Sequence, residues 1–166
     1  MRRSPWLKRL IAKRLRQVER QIKAIDAALR ALCVADADLN ARLAILVSIP
    51  GIAEATALAM LIEMPELGGI KNKCVASLAG LAPIARDPGQ TRGRRVIRGG
   101  RAHLRQALYM PALVAVRFNA AFKNKYQALI AAGKPPKVAL IAIMRKLAIL
   151  ANALLRDHRL WAQNAS

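Results

Sequence analysis

Seven arginines stand between Arg86 and Arg105, with a single acid, Asp87, among them. Arg92, Arg94, Arg95 and Arg98 crowd together between glycines, within the stretch GLAPIARDPGQTRGRRVIRGGRAHLRQALY from Gly80 to Tyr109. Guanidiniums set so close repel one another unless an anion lies over them, and their forked donors match phosphate oxygens. Gly80, Pro83, Pro88, Gly89 and Gly93 exclude a regular helix here, so the stretch begins as a loop. Two readings stand: a solvated basic loop, or a segment that grips a polynucleotide beside a reaction centre. Covalent attack on a phosphate would need a hydroxyl among arginines that neutralise the transition state. Thr91 is the hydroxyl in this loop; Ser48 and Ser77 fall on helices or their ends and read as packing or capping residues.

Other chemistries fare worse. The nine acids fall mostly on helix surfaces and caps, which excludes a complete two-metal nuclease within the chain. His103 and His158 have no nucleophile elbow near them. Tyr109 lies one helical turn beyond Arg105, with His103 close in sequence, the residue types that activate a tyrosine recombinase. Such residues normally come from separated segments, and a helix with one buried tyrosine is the plainer account.

The elements that must position these residues are helical. Lys and Arg total 29 against 9 for Asp and Glu, a net charge of +20 that points to a polyanion, most commonly nucleic acid. An anionic membrane is the rival partner. The longest apolar stretch, Val138 to Leu155, holds Arg145 and Lys146 at its centre and reads as a buried amphipathic helix rather than a span. The basic start lacks the apolar core of a signal peptide. Cys33 and Cys74 fit neither a disulfide framework nor a zinc pattern, which suits a reducing cytoplasm. With 55% hydrophobic residues and few alternating β patterns, the expected fold is all-α.

In chain order, residues 7 to 33 read as one long helix. Ile11, Leu15, Val18, Ile22, Ile25, Leu29 and Leu32 form an a/d seam of about three heptads, which suits a dimerising coiled coil or packing within the domain. Asp36 and Asp38 can cap a second helix, Leu39 to Val47. Ile49-Pro50-Gly51-Ile52 then turns into a helix from Ala53 to Met64. This is like a helix-hairpin-helix, whose amides at Gly51 and Ile52 would face a DNA phosphate. Ala53 stands where a second glycine is usual, and Glu54 adds a negative charge, so a packing hairpin is the alternative. A short helix, Lys73 to Ala79, is capped by Asn72. After the loop, a helix from Gly100 carries Arg101 and Arg105 on one face and is kinked by Pro111. Asn119 caps Ala120 to Ala132, Gly133 stops it, and Pro136 opens the last helix, Lys137 to Arg156. Arg145 and Lys146 either reach for the loop's ligand or snorkel outward. The expected division is a coiled-coil helix (1–38), a helical domain (39–158) and a tail (159–166).

Three segments carry a resemblance: IPGIAEATALAMLIEMPEL, SLAGLAPIARDPGQTRGRRVIRGGRAHLRQALYMPALVAVRFN and GKPPKVALIAIMRKLAILANALLRD. With the preceding coiled coil, they resemble the C-terminal half of an insertion-sequence transposase of the one-ten type, the family that includes RNA-guided bridge recombinases. The resemblance implies a bacterial, nucleoid-associated cytoplasmic protein acting in DNA transposition by site-specific recombination. It implies dimers through the coiled coil, tetramers on DNA, a guide RNA, and no membrane partner. It further implies an RuvC-like domain holding Mg through four acids, and a serine nucleophile in the helical domain. This chain starts just before the coiled coil, so a shortened form without the Mg-binding domain is expected, with no cofactor in the chain itself. Pro88, without a hydroxyl, stands where the serine is expected, so that role does not carry over to it; Thr91, three residues along, is the one candidate hydroxyl and a poor match in position. Arg86, Arg92, Arg94, Arg95, Arg98, Arg101 and Arg105 should contact phosphate. The chain is then expected to be inactive alone; the alternative is a non-enzymatic nucleic-acid-binding protein that pairs with or inhibits the full-length transposase.

Overall fold

The computed structural model describes residues 4–84 and 96–162. Two compact units divide the chain, residues 1–40 and 41–166. Its described residues form eight helices and one two-stranded sheet, an all-α architecture as the composition implies.

The first unit is dominated by α1, Pro5–Ala35, a 31-residue helix that starts on a proline in its first turn. There the ring's fixed φ suits the helix and the missing N–H is not needed. The helix extends two residues beyond the expected range at each end. Ile11, Leu15, Ile22, Ile25 and Leu32 are all more than half exposed along it. The Asp36 carboxylate accepts hydrogen bonds from the amides of Asp38 (2.9 Å) and Leu39 (3.1 Å). It thereby caps the start of α2, Ala37–Val47.

The second unit gathers α3 (Glu54–Glu63), α4 (Asn72–Leu78), α5 (Ala102–Ala107), α6 (Tyr109–Phe118), α7 (Ala120–Ala131) and α8 (Pro136–Arg156). Helix α8 is the axis of the core and packs against α4, α6 and α7. Ala139, Ile143, Leu147, Ala151 and Leu154 are fully buried along it. By length and composition alone α8 could cross a membrane, but 56% of its apolar window is buried in the domain, in keeping with the expected buried amphipathic helix. Asn152, also fully buried, holds the chain before α4 onto this helix. Its Oδ1 accepts from Gly68 N (2.8 Å), and its Nδ2 donates to Ile70 O (2.9 Å) and Asn72 Oδ1 (3.3 Å).

Several boundaries behave as the sequence suggests. Asn119 Oδ1 accepts from Phe122 N at 3.2 Å and caps α7, and Pro136 sits in the first turn of α8. Two do not. Lys71, not Asn72, is the N-cap of α4, because the Asn72 side chain is engaged by Asn152. The helix expected to kink at Pro111 instead breaks at Leu108 into α5 and α6. The break places Pro111 in the first turn of a new helix. A proline there has no missing hydrogen bond, whereas inside a continuous helix it would lose one and clash with the preceding turn.

Candidate nucleic-acid interface

The residues on either side of the arginine-bearing segment form a narrow neck on the helical domain. Strands β1 (Pro83–Ile84) and β2 (Val96–Ile97) pair antiparallel, with Pro83 opposite Ile97 and Ile84 opposite Val96. Just below them the backbones of residues 78–80 and 99–101 press together. Arg101 N donates to Leu78 O at 2.7 Å. A side chain on Gly100 would collide with the backbone N and Cα of Gly80 and with the Leu78 carbonyl. One on Gly80 would meet the Gly99 carbonyl and the Arg105 guanidinium. Gly80 and Gly100 have φ of 63° and 64°, so glycine is required there for both conformation and space.

Two arginines brace this neck. Arg105 Nη1 donates to Gly99 O at 2.9 Å and to Gly80 O at 3.4 Å. Arg101 Nη2 sits 2.6 Å from Glu66 Oε1, with both side chains about one-third exposed. The Arg101 hydrogen bond holds the Glu66 carboxyl below the usual glutamate range. The pair's stabilisation is therefore fully present above the unfolded-state pKa and is lost as pH falls through the lower folded value. At this exposure it contributes about 1 kcal/mol or less. Glu66→Gln should lower the melting temperature slightly at pH 7 and not at pH 3. An equal loss at both pH values in thermal melts would show that the ion pair is not the source.

Of the residues the sequence singles out, Arg86, Pro88, Thr91, Arg92, Arg94 and Arg95 lie outside the described residues. Arg98 is exposed just after β2. Arg101 and Arg105, expected to face phosphate, make the intramolecular contacts above. Ile52 is buried, so its side chain belongs to the core. Gly51, at φ 94°, lies where a side chain would collide with Pro111 O at 2.7 Å. Close packing against α6 is thus the reason for glycine in that turn. Ser48 is a packing residue, as expected: its hydroxyl donates to Ile45 O at 2.6 Å and accepts from Trp161 N at 2.8 Å.

Arg145 does not snorkel; its Nε donates to Leu81 O at 3.0 Å and ties α8 to the chain entering the neck. The Lys146 ammonium stands 5.6 Å from the centre of the Phe122 ring. A cleft of about 610 Å³ lies between the hairpin and α8, with Val96, Ile97, Lys134, Val138 and Arg145 in its walls. Tyr109 corrects the sequence reading: it is 48% exposed rather than buried. Among the described residues no three His, Cys, Asp or Glu side chains converge as a metal site.

The described residues thus define a small basic all-α domain with a tightly closed neck on either side of residues 85–95 in the sequence. The profile of the Transposase IS116/IS110/IS902 family matches residues 43–127, about half of the chain, and the chain belongs to that family. It is 35% identical over 127 residues to a pilin gene-inverting protein of Moraxella bovis, across 74% of this chain and 39% of that protein. It is 29% identical over 149 residues to an IS110 insertion-element protein of 43.6 kDa from Streptomyces coelicolor, across 89% of this chain and 36% of that one. An IS900 insertion-element protein of Mycobacterium paratuberculosis is 36% identical over 89 residues, 52% of this chain and 22% of that protein. The chain therefore spans well under half the length of the curated relatives it matches.

Proposed function

We propose that this chain is the DNA-gripping part of an insertion-sequence transposase and takes part in site-specific DNA rearrangement. The observation that carries the reading is the neck: glycines, Arg101 and Arg105 hold a fixed base for a segment holding Arg86, Arg92, Arg94 and Arg95. Relatives named for inverting a pilin gene and for insertion elements support DNA as the polyanion. The net charge of +20 supports it independently. Arg98, exposed beside β2, is a further cation available to the same ligand. The Gly51 backbone is a secondary phosphate contact in this reading; the Ile52 amide is already given to Ile49 O at 3.0 Å. A guide RNA, where one is used, would be held by the same cations.

Pro88 offers no hydroxyl, so covalent attack on DNA is not assigned to that position. Thr91 is the hydroxyl to test for it. The described acids do not fit a magnesium site, so no step is routed through a metal in this chain. Metal chemistry belongs, in this reading, to the RuvC-like domain that the family resemblance implies.

The reading is tested by salt-dependent DNA binding. Arg94→Gln with Arg95→Gln should weaken binding and flatten the plot of log affinity against log salt by roughly one unit per lost phosphate contact. An unchanged slope in the double variant would remove the segment from the DNA surface.

A second observation favours self-association. Helix α1 leaves the apolar seam at Ile11, Leu15, Ile22, Ile25 and Leu32 exposed. A coiled-coil partner, another copy of this chain or a longer relative, would cover it. Mixed pairing with a full-length transposase would make a short chain an inhibitor. Ile22→Asp with Ile25→Asp should convert dimers to monomers in sedimentation. Dimers that survive the double change would place the interface elsewhere.

A further inference from the structure

A second feature of the domain lies apart from the neck's glycines, where α6 begins and α8 begins. Tyr109 is the first residue of α6 and is 48% exposed. Its ring lines two adjoining clefts. One, of about 390 Å³, is walled by Arg105, Gln106, Ile141 and Met144; the other, of about 240 Å³, includes Tyr126. Lys137 and Leu140 line both, so Tyr109 stands beside a continuous trough. The larger cleft falls within the size range of small-ligand pockets, roughly 300–1,000 Å³.

The chemistry of the trough is uneven in a specific way. Its floor is apolar, from Leu140 and Met144. One aromatic face is on hand at Tyr109. One amide, Gln106, can both donate and accept. Two cations, Arg105 and Lys137, complete the lining. Arg105 uses Nη1 on the neck carbonyls, and a guanidinium carries further N–H donors. A flat, polar-edged, π-faced group attached to phosphates matches this set. The face would stack on the tyrosine, the edge would meet the amide, and the phosphates would meet the cations.

We infer that this trough binds a nucleobase turned out of the stack, or one in single-stranded DNA. The inference rests on the DNA reading above and deepens it: the arginine segment grips phosphates, and the Tyr109 trough holds a base. An anionic lipid would also meet cations beside apolar surface, but would gain nothing from the amide or from an aromatic face.

The test uses the full chain and two labelled single strands of equal length and charge, one of thymidines and one with abasic sites at its centre. The native chain should bind the thymidine strand more tightly by roughly five- to 150-fold, the range for one stacked base. Tyr109→Ala should abolish that preference while leaving affinity for the abasic strand unchanged, and Tyr109→Phe should retain it. Because the Phe variant keeps the ring, folding of the Ala variant is not the sole arbiter. A native chain that binds both strands equally with ordinary salt dependence would overturn the base site and leave the DNA reading intact. So would a preference that survives Tyr109→Ala. Binding to neither strand, nor to duplex DNA, would overturn both readings.

Discussion

Replacing Gly100 by alanine should lower the melting temperature of the chain by roughly 10 °C, and the loss should begin at the neck. Three effects add. The left-handed backbone at φ 64° disfavours an L side chain by about 1–2 kcal/mol. The new Cβ would overlap the backbone of Gly80 and the Leu78 carbonyl, and none of these atoms can rotate away. Moving them apart breaks the bond from Arg101 N to Leu78 O, a further loss of about 1 kcal/mol. A total near 3 kcal/mol is a large fraction of a stability of about 5–15 kcal/mol. Gly99→Ala is the control. Gly99 also has positive φ, at 70°, but a side chain there meets nothing within 4 Å. It should show the backbone strain without the collision. Melting curves and hydrogen exchange at the Arg101 amide separate the two. If Gly100→Ala melts with the native chain and keeps that amide protected, the neck is not closed by backbone contact.

Asn152→Leu should cost a similar amount, about 3 kcal/mol, for a different reason. The substitution keeps the branching and heavy-atom number of the side chain, though leucine is bulkier, and adds apolar surface to a buried position, which by burial alone would favour folding. Against that, the Gly68 amide and the Ile70 carbonyl lose their partners at one stroke. Buried groups left unsatisfied each cost about 1–3 kcal/mol, so the hydrogen bonds outweigh the apolar gain. The loop before α4 should loosen first, because Asn152 is its tether to α8. Thermal melts read the overall loss, and exchange at the Gly68 amide reads its origin. A variant as stable as the native chain would mean that Gly68 and Ile70 find water in place of the amide.

These two residues show where the sequence could be read and where it could not. Local signals were legible. Asn119 before an apolar helix, Pro136 at a helix start and the long seam of the first helix follow from capping, proline geometry and period. The class of fold followed from them. What depends on partners far along the chain was hidden. Nothing near Asn152 announces that it will clasp Gly68, Ile70 and Asn72. Charge density likewise does not reveal that Arg101 pairs with Glu66 or that Arg105 ties two glycine carbonyls. Strands of two residues are too short to leave a period, so the segment around Pro83 and Val96 read as plain loop. Tyr109 was read as one buried tyrosine of a helix because the residues of a tyrosine-recombinase site normally come from separated segments. The break at Leu108 makes it the first residue of a new helix instead, and exposes it.

The closed neck also bears on how such a chain can change over time. The two strands fix both ends of the intervening segment about 4.8 Å apart, the ordinary spacing of paired strands. From the helices' side, the segment is a closed circuit. Doubling its length would cost only about 0.6 kcal/mol in closure entropy. Changes of length between Ile84 and Val96 are therefore expected to bear little on whether the helices fold, because the paired strands close the domain on its own side of the segment.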